Sequence, residues 1–190
     1  HDRNTARLAE DSLVVPESSY QELRKLRLNG GTYIPTLRSV LKILPPDTEI
    51  FIEIKCCWEE GEAGQVFPML GELLRETGTM EQATLISFNM EKLVDAKKHV
   101  PEVPLYWLTG EQQPVSGMVD KVVSAGVDGL NVHHSLISEE LMSQARANNL
   151  DVYVWTVNDP GRAAELANVY GVDGITTDYP DRIMEAVRAE

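Results

Sequence analysis

The sequence has little cysteine and no long apolar run. Its only two cysteines, Cys56 and Cys57, are adjacent, a spacing that forms neither a disulfide framework nor a zinc site. Cysteines of this kind favour a reducing compartment, so a cytoplasmic location is expected. No apolar stretch approaches the ~18 residues that a bilayer span requires and no signal peptide is recognised, so no transmembrane segment is expected.

Positive charge is also scarce. The 190 residues carry 30 acidic side chains against 17 Lys and Arg, which gives a formal net charge of −13. A chain this acidic has no general electrostatic footprint for nucleic acid or for an anionic membrane surface. The acidity is typical of a solvated surface, with a few carboxylates left as possible cation ligands. The length fits one domain over residues 1–190.

Short Val-, Ile- and Leu-rich runs alternate with longer segments of helical periodicity. Successive units of this kind imply parallel strands joined by crossover helices. The predicted strands are 49–56, 83–88, 103–108, 127–132, 151–157 and 172–177, and the helices that follow them are 63–77, 90–98, 115–125, 138–148, 160–169 and 180–189.

Two α/β architectures fit this order, an open doubly wound sheet and a TIM-type (β/α)8 barrel. A Gly-rich phosphate fingerprint, which marks the doubly wound fold, is absent, and the repeated GVDG (126–129 and 171–174) favours the barrel. The first 48 residues predict helices near 18–28 and 36–44 but no strand pair. We therefore expect about six βα units, with the first two strands of the barrel missing.

The run EIFIEIKC (49–56) holds two opposite charges in an apolar setting. Strand alternation places its isoleucines on one face, toward the helices, and Phe51, Glu53 and Lys55 on the other, toward the barrel interior. Charges in that position need partners. Two interpretations stay open: a structural Glu–Lys pair, or a metal-binding carboxylate beside a phosphate-binding ammonium.

Further polar and aromatic residues fall near the ends of the predicted strands, the face of a barrel that carries its chemistry. The two histidines among them either form a polar loop or contact substrate, and a core aromatic is the usual interpretation of a residue such as Trp155. His1 becomes a candidate acid or base only in the company of other site residues. The full set is Ser87, Phe88, Trp107, His133, His134, Trp155, Thr156, Thr177 and Asp178.

Seven short motifs follow one another along the chain: HD (1–2), YQEL (20–23), IPTL (34–37), EIK (53–55), SF (87–88), VWTVN (154–158) and DGITTDYP (173–180). This ordered set resembles the glycerophosphodiester phosphodiesterase family over essentially the whole chain. The resemblance implies a (β/α)8 barrel that uses a divalent cation, Mg²⁺ or Ca²⁺. It implies a small-molecule substrate, a glycerophosphodiester, which is hydrolysed to an alcohol and glycerol 3-phosphate.

The resemblance also implies roles for the matching residues. His1 would be one of two catalytic histidines, acting as general acid or base. Glu53 would be one of three carboxylates on the metal, and Lys55 would face the phosphate and stabilise its developing charge. Phe88 and Trp155 would line an apolar wall beside the glycerol or the leaving group.

Two motifs of the family are absent from the 190 residues. These are His-Arg-Gly, which supplies the other histidine and a phosphate-binding arginine, and Glu-x-Asp, which supplies two more metal ligands. Leu8 and Ala9 stand where the family usually has Thr-Thr. We expect the absent motifs on the two missing barrel strands, with the barrel completed by additional strands or an oligomer. Two other functions stay open: a catalytically inactive barrel remnant that binds a phosphate ligand or a protein partner, and a relative that attacks lysophospholipids.

Overall fold

The computed structural model describes residues 1–55 and 63–188. Six strands form one sheet, in the order of the sequence, and each pairs in parallel with the next. The prediction of about six βα units in an α/β barrel-type fold is confirmed. The strands are β1 (Ile50–Glu53), β2 (Ala83–Ser87), β3 (Leu105–Thr109), β4 (Gly129–His133), β5 (Asp151–Trp155) and β6 (Gly174–Ile175).

The helices lie close to their predicted bounds. They are α1 (Tyr20–Lys25), α2 (Leu37–Leu41), α3 (Ala63–Thr77), α4 (Met90–His99), α5 (Val115–Ala125), α6 (Glu139–Ala147), α7 (Pro160–Ala164) and α8 (Pro180–Arg188). A π-helical turn, Glu165–Tyr170, continues α7. The adjacent cysteines, Cys56 and Cys57, lie outside the described residues. Across the described ranges, no helix is both long enough and apolar enough to cross a membrane.

Helix α7 begins at its predicted residue, Pro160. Pro160 takes the first helical position, which suits a residue without a backbone N–H, and the capping side chain is Asp159, which accepts from the N–H of Arg162. Asn158, the residue before this cap, donates to the carboxylate of Asp178. The loop after β5 is thereby tied to the loop after β6.

Contacts between aromatic rings show that the sheet is curled. Four strand spacings of about 4.8 Å would separate β1 from β5 by roughly 19 Å in a flat sheet. The rings of Phe51 on β1 and Tyr153 on β5 are instead only 5.0 Å apart. Tyr106 on β3 stacks on Tyr153 at 5.0 Å. The three rings therefore line the concave face of a half-barrel.

The other face of the sheet packs against the helices. Ile54 is buried there, and Ile50 and Ile52 pack against the same core. Side chains of successive strands point to the helices in the same way, with Leu85, Leu105, Leu130 and Val152 all buried. The predicted division of β1 is confirmed: its isoleucines face the helices, and Phe51 faces the interior of the half-barrel.

The two GVDG segments form the same local structure. Gly126 and Gly171 end their helices in the left-handed region, with φ of 65° and 67°, where glycine avoids the Cβ clash. The following aspartates then hydrogen-bond to a neighbouring strand. Asp128 accepts from the first N–H of β3 at 3.0 Å, and Asp173 accepts from the second N–H of β5 at 2.7 Å.

The last glycine of each GVDG makes room for a tyrosine. A Cβ on Gly129 would lie 2.5 Å from the Asp151 carbonyl oxygen and 2.9 Å from the Tyr106 ring, and one on Gly174 would lie 2.3 Å from the Tyr153 ring. Side chains of ordinary size cannot occupy these positions. The glycines therefore allow the stacked tyrosines to lie flat against the sheet.

Gly129→Ala is expected to lower the free energy of unfolding by about 1–3 kcal/mol, because the new methyl group overlaps a strand carbonyl that cannot move aside. Urea denaturation followed by circular dichroism measures the change. Gly117→Ala in α5 is the matched control, since a Cβ there meets nothing within 4 Å, and it should gain up to about 1 kcal/mol. Equal stability of Gly129→Ala and the unmodified protein would contradict this account.

Candidate active site

The two charges of β1 form an ion pair at the carboxyl end of the strand. Lys55 Nζ lies 2.7 Å from Glu53 Oε2, and the side chains are 51% and 23% exposed, respectively. A pair this exposed contributes little to stability, typically ~0–1 kcal/mol. Its significance is therefore its position, at the rim where barrel enzymes place their chemistry.

A buried hydroxyl fixes the backbone between these two charges. Ser87 Oγ, at the end of β2, donates to the carbonyl of Ile54 at 2.8 Å and accepts from the N–H of Asn89 at 3.1 Å. Ile54 lies between Glu53 and Lys55 in sequence. The Ser87 hydrogen bond therefore sets the path of the chain that carries both charges.

The first residues of the chain form a second charged cluster. His1 Nδ1 lies 2.9 Å from Asp2 Oδ1, and Arg7 Nε donates to Asp2 Oδ2 at 2.8 Å. The Arg7 guanidinium lowers the pKa of Asp2, and the charge of Lys55 adds to that lowering. The cluster around His1 and the Glu53–Lys55 pair are thus close enough to interact electrostatically.

An aromatic wall stands at the same rim. The Trp155 ring meets Phe88 edge-on at 5.7 Å and His133 edge-on at 5.3 Å. Trp155 Nε1 donates to the Asn131 carbonyl at 3.0 Å, which fixes the indole. Gly110 leaves space beside it, since a Cβ there would be 3.3 Å from the indole. Phe88 is 55% exposed, so its ring is available to a ligand.

The histidines after β4 differ in environment. His133 Nδ1 hydrogen-bonds to Ser135 Oγ at 2.8 Å, whereas His134 Nδ1 is buried and has no hydrogen-bond partner within the described residues. Burial lowers the pKa of His134, with smaller contributions from His133 and Arg162. His134 is therefore biased toward the neutral form, and His133 supports the aromatic wall.

The predicted site residues divide into two clusters on one rim. His1, Glu53 and Lys55 belong to the charged side, and Phe88 and Trp155 form a wall.

Trp107 differs from the expectation that it lies at the rim. It lies on the helix-facing side of β3, almost completely buried, and its Nε1 donates to the carbonyl of Phe88 at 3.3 Å. Parity explains this, because its neighbour Tyr106 faces the interior.

Sequence reasoning assigned no role to Asp2 or to Arg7 in this cluster. The sequence signal for this contact is Asp2 next to His1, with Arg7 five residues after Asp2. Spacing within a loop, however, does not determine which side chains meet. The position of Gly110 against Trp155 carried no sequence signal of its own.

A divalent cation does not fit the described residues by themselves. Ca²⁺ takes six to eight oxygen ligands, and Mg²⁺ takes six in an octahedron, of which several are waters and one or two are protein carboxylates. Over residues 1–55 and 63–188, no three His, Cys, Asp or Glu side chains group together in a way that could hold a metal ion. Glu53 is the carboxylate at the rim of β1, and one of its oxygens faces Lys55.

Comparison with known proteins matches this fold and these motifs. The model of the glycerophosphoryl diester phosphodiesterase family matches residues 1–182. The chain belongs to this family. YhdW of Bacillus subtilis (strain 168) is 29% identical over 198 residues, which cover 97% of this chain and 78% of YhdW. The glycerophosphodiester phosphodiesterase of Caldanaerobacter subterraneus subsp. tengcongensis is 27% identical over 205 residues, covering 99% of this chain and 79% of that protein.

Solved structures agree on the fold. A phosphodiesterase of Oleispira antarctica, determined in complex with the product sn-glycerol-3-phosphate, matches with a TM-score of 0.82 at 24% identity. The match covers 98% of this chain and 77% of that one. The family predicted from the motifs is therefore confirmed, and its named members are phosphoric diester hydrolases.

Ser87→Ala is expected to lower the free energy of unfolding by about 1–3 kcal/mol, because it leaves the carbonyl of Ile54 without its buried donor. Urea denaturation measures the loss. Ser116→Ala is the control, since Ser116 is exposed in α5 and a surface change of this kind stays within about 0.5 kcal/mol. A Ser87→Ala protein as stable as Ser116→Ala would show that the hydroxyl does not fix the β1 rim.

Proposed function

We propose that this protein hydrolyses glycerophosphodiesters to an alcohol and glycerol 3-phosphate. Family membership supports the reaction class, and the Oleispira antarctica relative in complex with sn-glycerol-3-phosphate supports the product. The observation that carries the proposal is the Lys55–Glu53 pair at the rim of β1, within electrostatic reach of the His1 cluster. A cation, a carboxylate and an imidazole are the groups that phosphodiester hydrolysis needs.

Lys55 is the residue proposed to bind the phosphate. Half of its side chain is exposed at the rim, so a substrate phosphate can reach the ammonium. Negative charge grows on the phosphoryl oxygens and the leaving group as the ester bond breaks. A fixed positive charge at that point favours the transition state over the ground state.

His1 is the residue proposed to transfer a proton. An imidazole changes protonation state near neutral pH, so it can protonate the leaving alkoxide or deprotonate the attacking water. Phe88 and Trp155 are proposed to line the apolar side of the pocket and contact the carbon chain of glycerol or of the leaving group. Their edge-on contact leaves the exposed Phe88 ring facing outward for this.

A divalent cation, Mg²⁺ or Ca²⁺, is proposed to neutralise phosphate charge, with Glu53 as one ligand. The described residues supply no complete ligand set, so further ligands would come from additional strands or from another subunit. Such strands have a place to bind, because β1 and β6 each pair with only one strand of the described sheet. Unpaired edges of this kind favour further strand addition.

Lys55→Met is expected to lower kcat/KM for glycerophosphocholine by about 10²–10³, because the phosphoryl charge loses its fixed counter-charge. A coupled assay for released glycerol 3-phosphate, made on the complete protein, measures this. Lys98→Met removes a comparable exposed ion pair on α4, with Asp95, and should leave the rate unchanged. Full activity in Lys55→Met would exclude the phosphate role.

Phosphate binding without turnover is a second candidate function. Within residues 1–55 and 63–188 no three His, Cys, Asp or Glu side chains group to hold a metal ion, so we expect the 190-residue chain alone to bind Mg²⁺ or Ca²⁺ weakly, with Kd above about 1 mM, because an incomplete ligand set does not replace the ion's hydration shell. Isothermal titration calorimetry tests this, with Glu53→Gln as the matched variant. Micromolar Mg²⁺ binding abolished by Glu53→Gln would contradict the expectation.

Glycerol 3-phosphate separates the two functions when it is titrated in the same experiment with and without Mg²⁺. Metal-independent binding combined with no hydrolysis by the complete protein would favour the binding function. Turnover that EDTA abolishes would favour the phosphodiesterase. Attack on lysophospholipids is distinguished by offering lysophosphatidylcholine beside glycerophosphocholine.

Three further expectations stay predictions: a single domain over residues 1–190, a cytoplasmic location and the absence of nucleic-acid binding.

A further inference from the structure

The His1 cluster, formed by His1, Asp2 and Arg7, fixes the orientation of the Asp2 carboxylate. The two oxygens of the Asp2 carboxylate have different partners. Oδ1 faces His1 Nδ1 at 2.9 Å, and Oδ2 accepts from Arg7 Nε at 2.8 Å. With both oxygens engaged, the carboxylate plane is fixed between the imidazole and the guanidinium. Asp2 is also the least exposed of the three side chains, at 39% against 80% for His1 and 63% for Arg7.

The protonation state of Asp2 decides which imidazole nitrogen carries hydrogen. Arg7 lowers the pKa of Asp2, and Lys55 acts in the same direction. At neutral pH the carboxylate is therefore ionised, and an ionised carboxylate only accepts hydrogen bonds. The hydrogen of a neutral His1 must then lie on Nδ1, which leaves the Nε2 lone pair free.

We propose that Asp2, anchored by Arg7, is a positioning residue that fixes the tautomer and orientation of His1 so that Nε2 faces the reacting oxygen. A carboxylate hydrogen-bonded to one imidazole nitrogen sets the role of the other in this way, and it stabilises the imidazolium that forms during proton transfer. This inference rests on the proposed catalytic role of His1. It adds Asp2 and Arg7 to the residues on which the rate depends.

The direction of the pH effect follows from the charges. The negative charge of Asp2 favours protonated His1, so its removal favours the neutral imidazole. Arg7 and Lys55 oppose that effect, since both are positive, and Glu53 is neutralised in part by Lys55. In Asp2→Asn, the limb of the activity profile that His1 controls should accordingly move to lower pH.

The deciding experiment is an NMR titration of the histidine rings, with the His1 signal assigned from a His1→Gln variant. Long-range ¹H–¹⁵N spectra should show His1 mainly as the Nδ1–H tautomer in the unmodified protein. In Asp2→Asn the amide can donate to Nδ1, so the Nε2–H tautomer should increase and the titration midpoint should fall. Asp2→Ala should lower the midpoint equally.

Glu17→Gln is the matched control, because Glu17 pairs with Arg3 at 2.9 Å in the same N-terminal segment and both are 65% exposed. It should leave the His1 tautomer and midpoint unchanged. Identical His1 spectra in Asp2→Asn and the unmodified protein would overturn the proposal. This readout needs no turnover, so it decides the positioning role even if the proposed hydrolysis fails.

Kinetics test the same role where the complete protein is active. Asp2→Asn should lower kcat about tenfold or more with KM little changed, since a general acid or base contributes about 10²–10⁴. Adding Asp2→Asn to His1→Gln should then cost nothing further, because residues that act as a unit are not additive. Additive losses in the double variant would show that Asp2 acts independently of His1.

Discussion

The contact between Phe51 and Tyr153 is the interaction on which the rest of the molecule depends. The two rings join strands that four spacings separate, at 5.0 Å. A sheet of parallel strands twists by itself, but twist alone does not bring β1 and β5 together. Burial of the two rings against Tyr106 stabilises the curled form of the sheet. The same curl brings Glu53 and Trp155, each two residues further along its strand, to one rim.

The two ends of the half-barrel use their carboxylates differently. At the amino ends of the strands, Asp128 and Asp173 accept backbone N–H groups, and Asp151 accepts the Tyr106 hydroxyl at 2.7 Å. Burial and this hydrogen bond raise the pKa of Tyr106, so the phenol stays a donor. At the carboxyl ends, Glu53 and Asp2 pair with exposed cations. Some of the acidic residues therefore have a structural role at the amino ends of the strands. Glu53 and Asp2, at the carboxyl ends, can exchange their exposed partners.

Periodicity predicts much of this fold, because helix and strand patterns depend on residues close in sequence. The six strands and the bounds of α3 and α5 follow from it directly. Parity in β1 also predicts which charges share a face. The π-helical turn at Glu165–Tyr170 and the face of Trp107 do not follow, since tertiary packing decides them. The motifs predict the family and the candidate residues, whereas the Asp2–Arg7 contact depends on how a loop folds.

A buried threonine holds the loop that follows His1. Thr5 is buried, and its hydroxyl donates to the Asp11 carbonyl at 2.9 Å and accepts from the N–H of Leu13 at 2.8 Å. These bonds close the segment after His1 on itself, so a departure from the family's side chains at Leu8 and Ala9 leaves the loop folded.

Backbone bonds carry the rest of the loop. The N–H groups of Leu8 and Ala9 both donate to the Thr5 carbonyl, and the Leu8 carbonyl accepts from Asn29 at 2.8 Å. Proton transfer requires atoms placed to a few tenths of an ångström. The hydrogen bonds of Thr5 hold the loop in place. The contacts of Asp2 with Arg7 and His1 then fix the orientation of the imidazole. The two sides of the candidate site are therefore built separately, with the Glu53–Lys55 pair at the end of a strand and His1 on a loop anchored by a buried threonine.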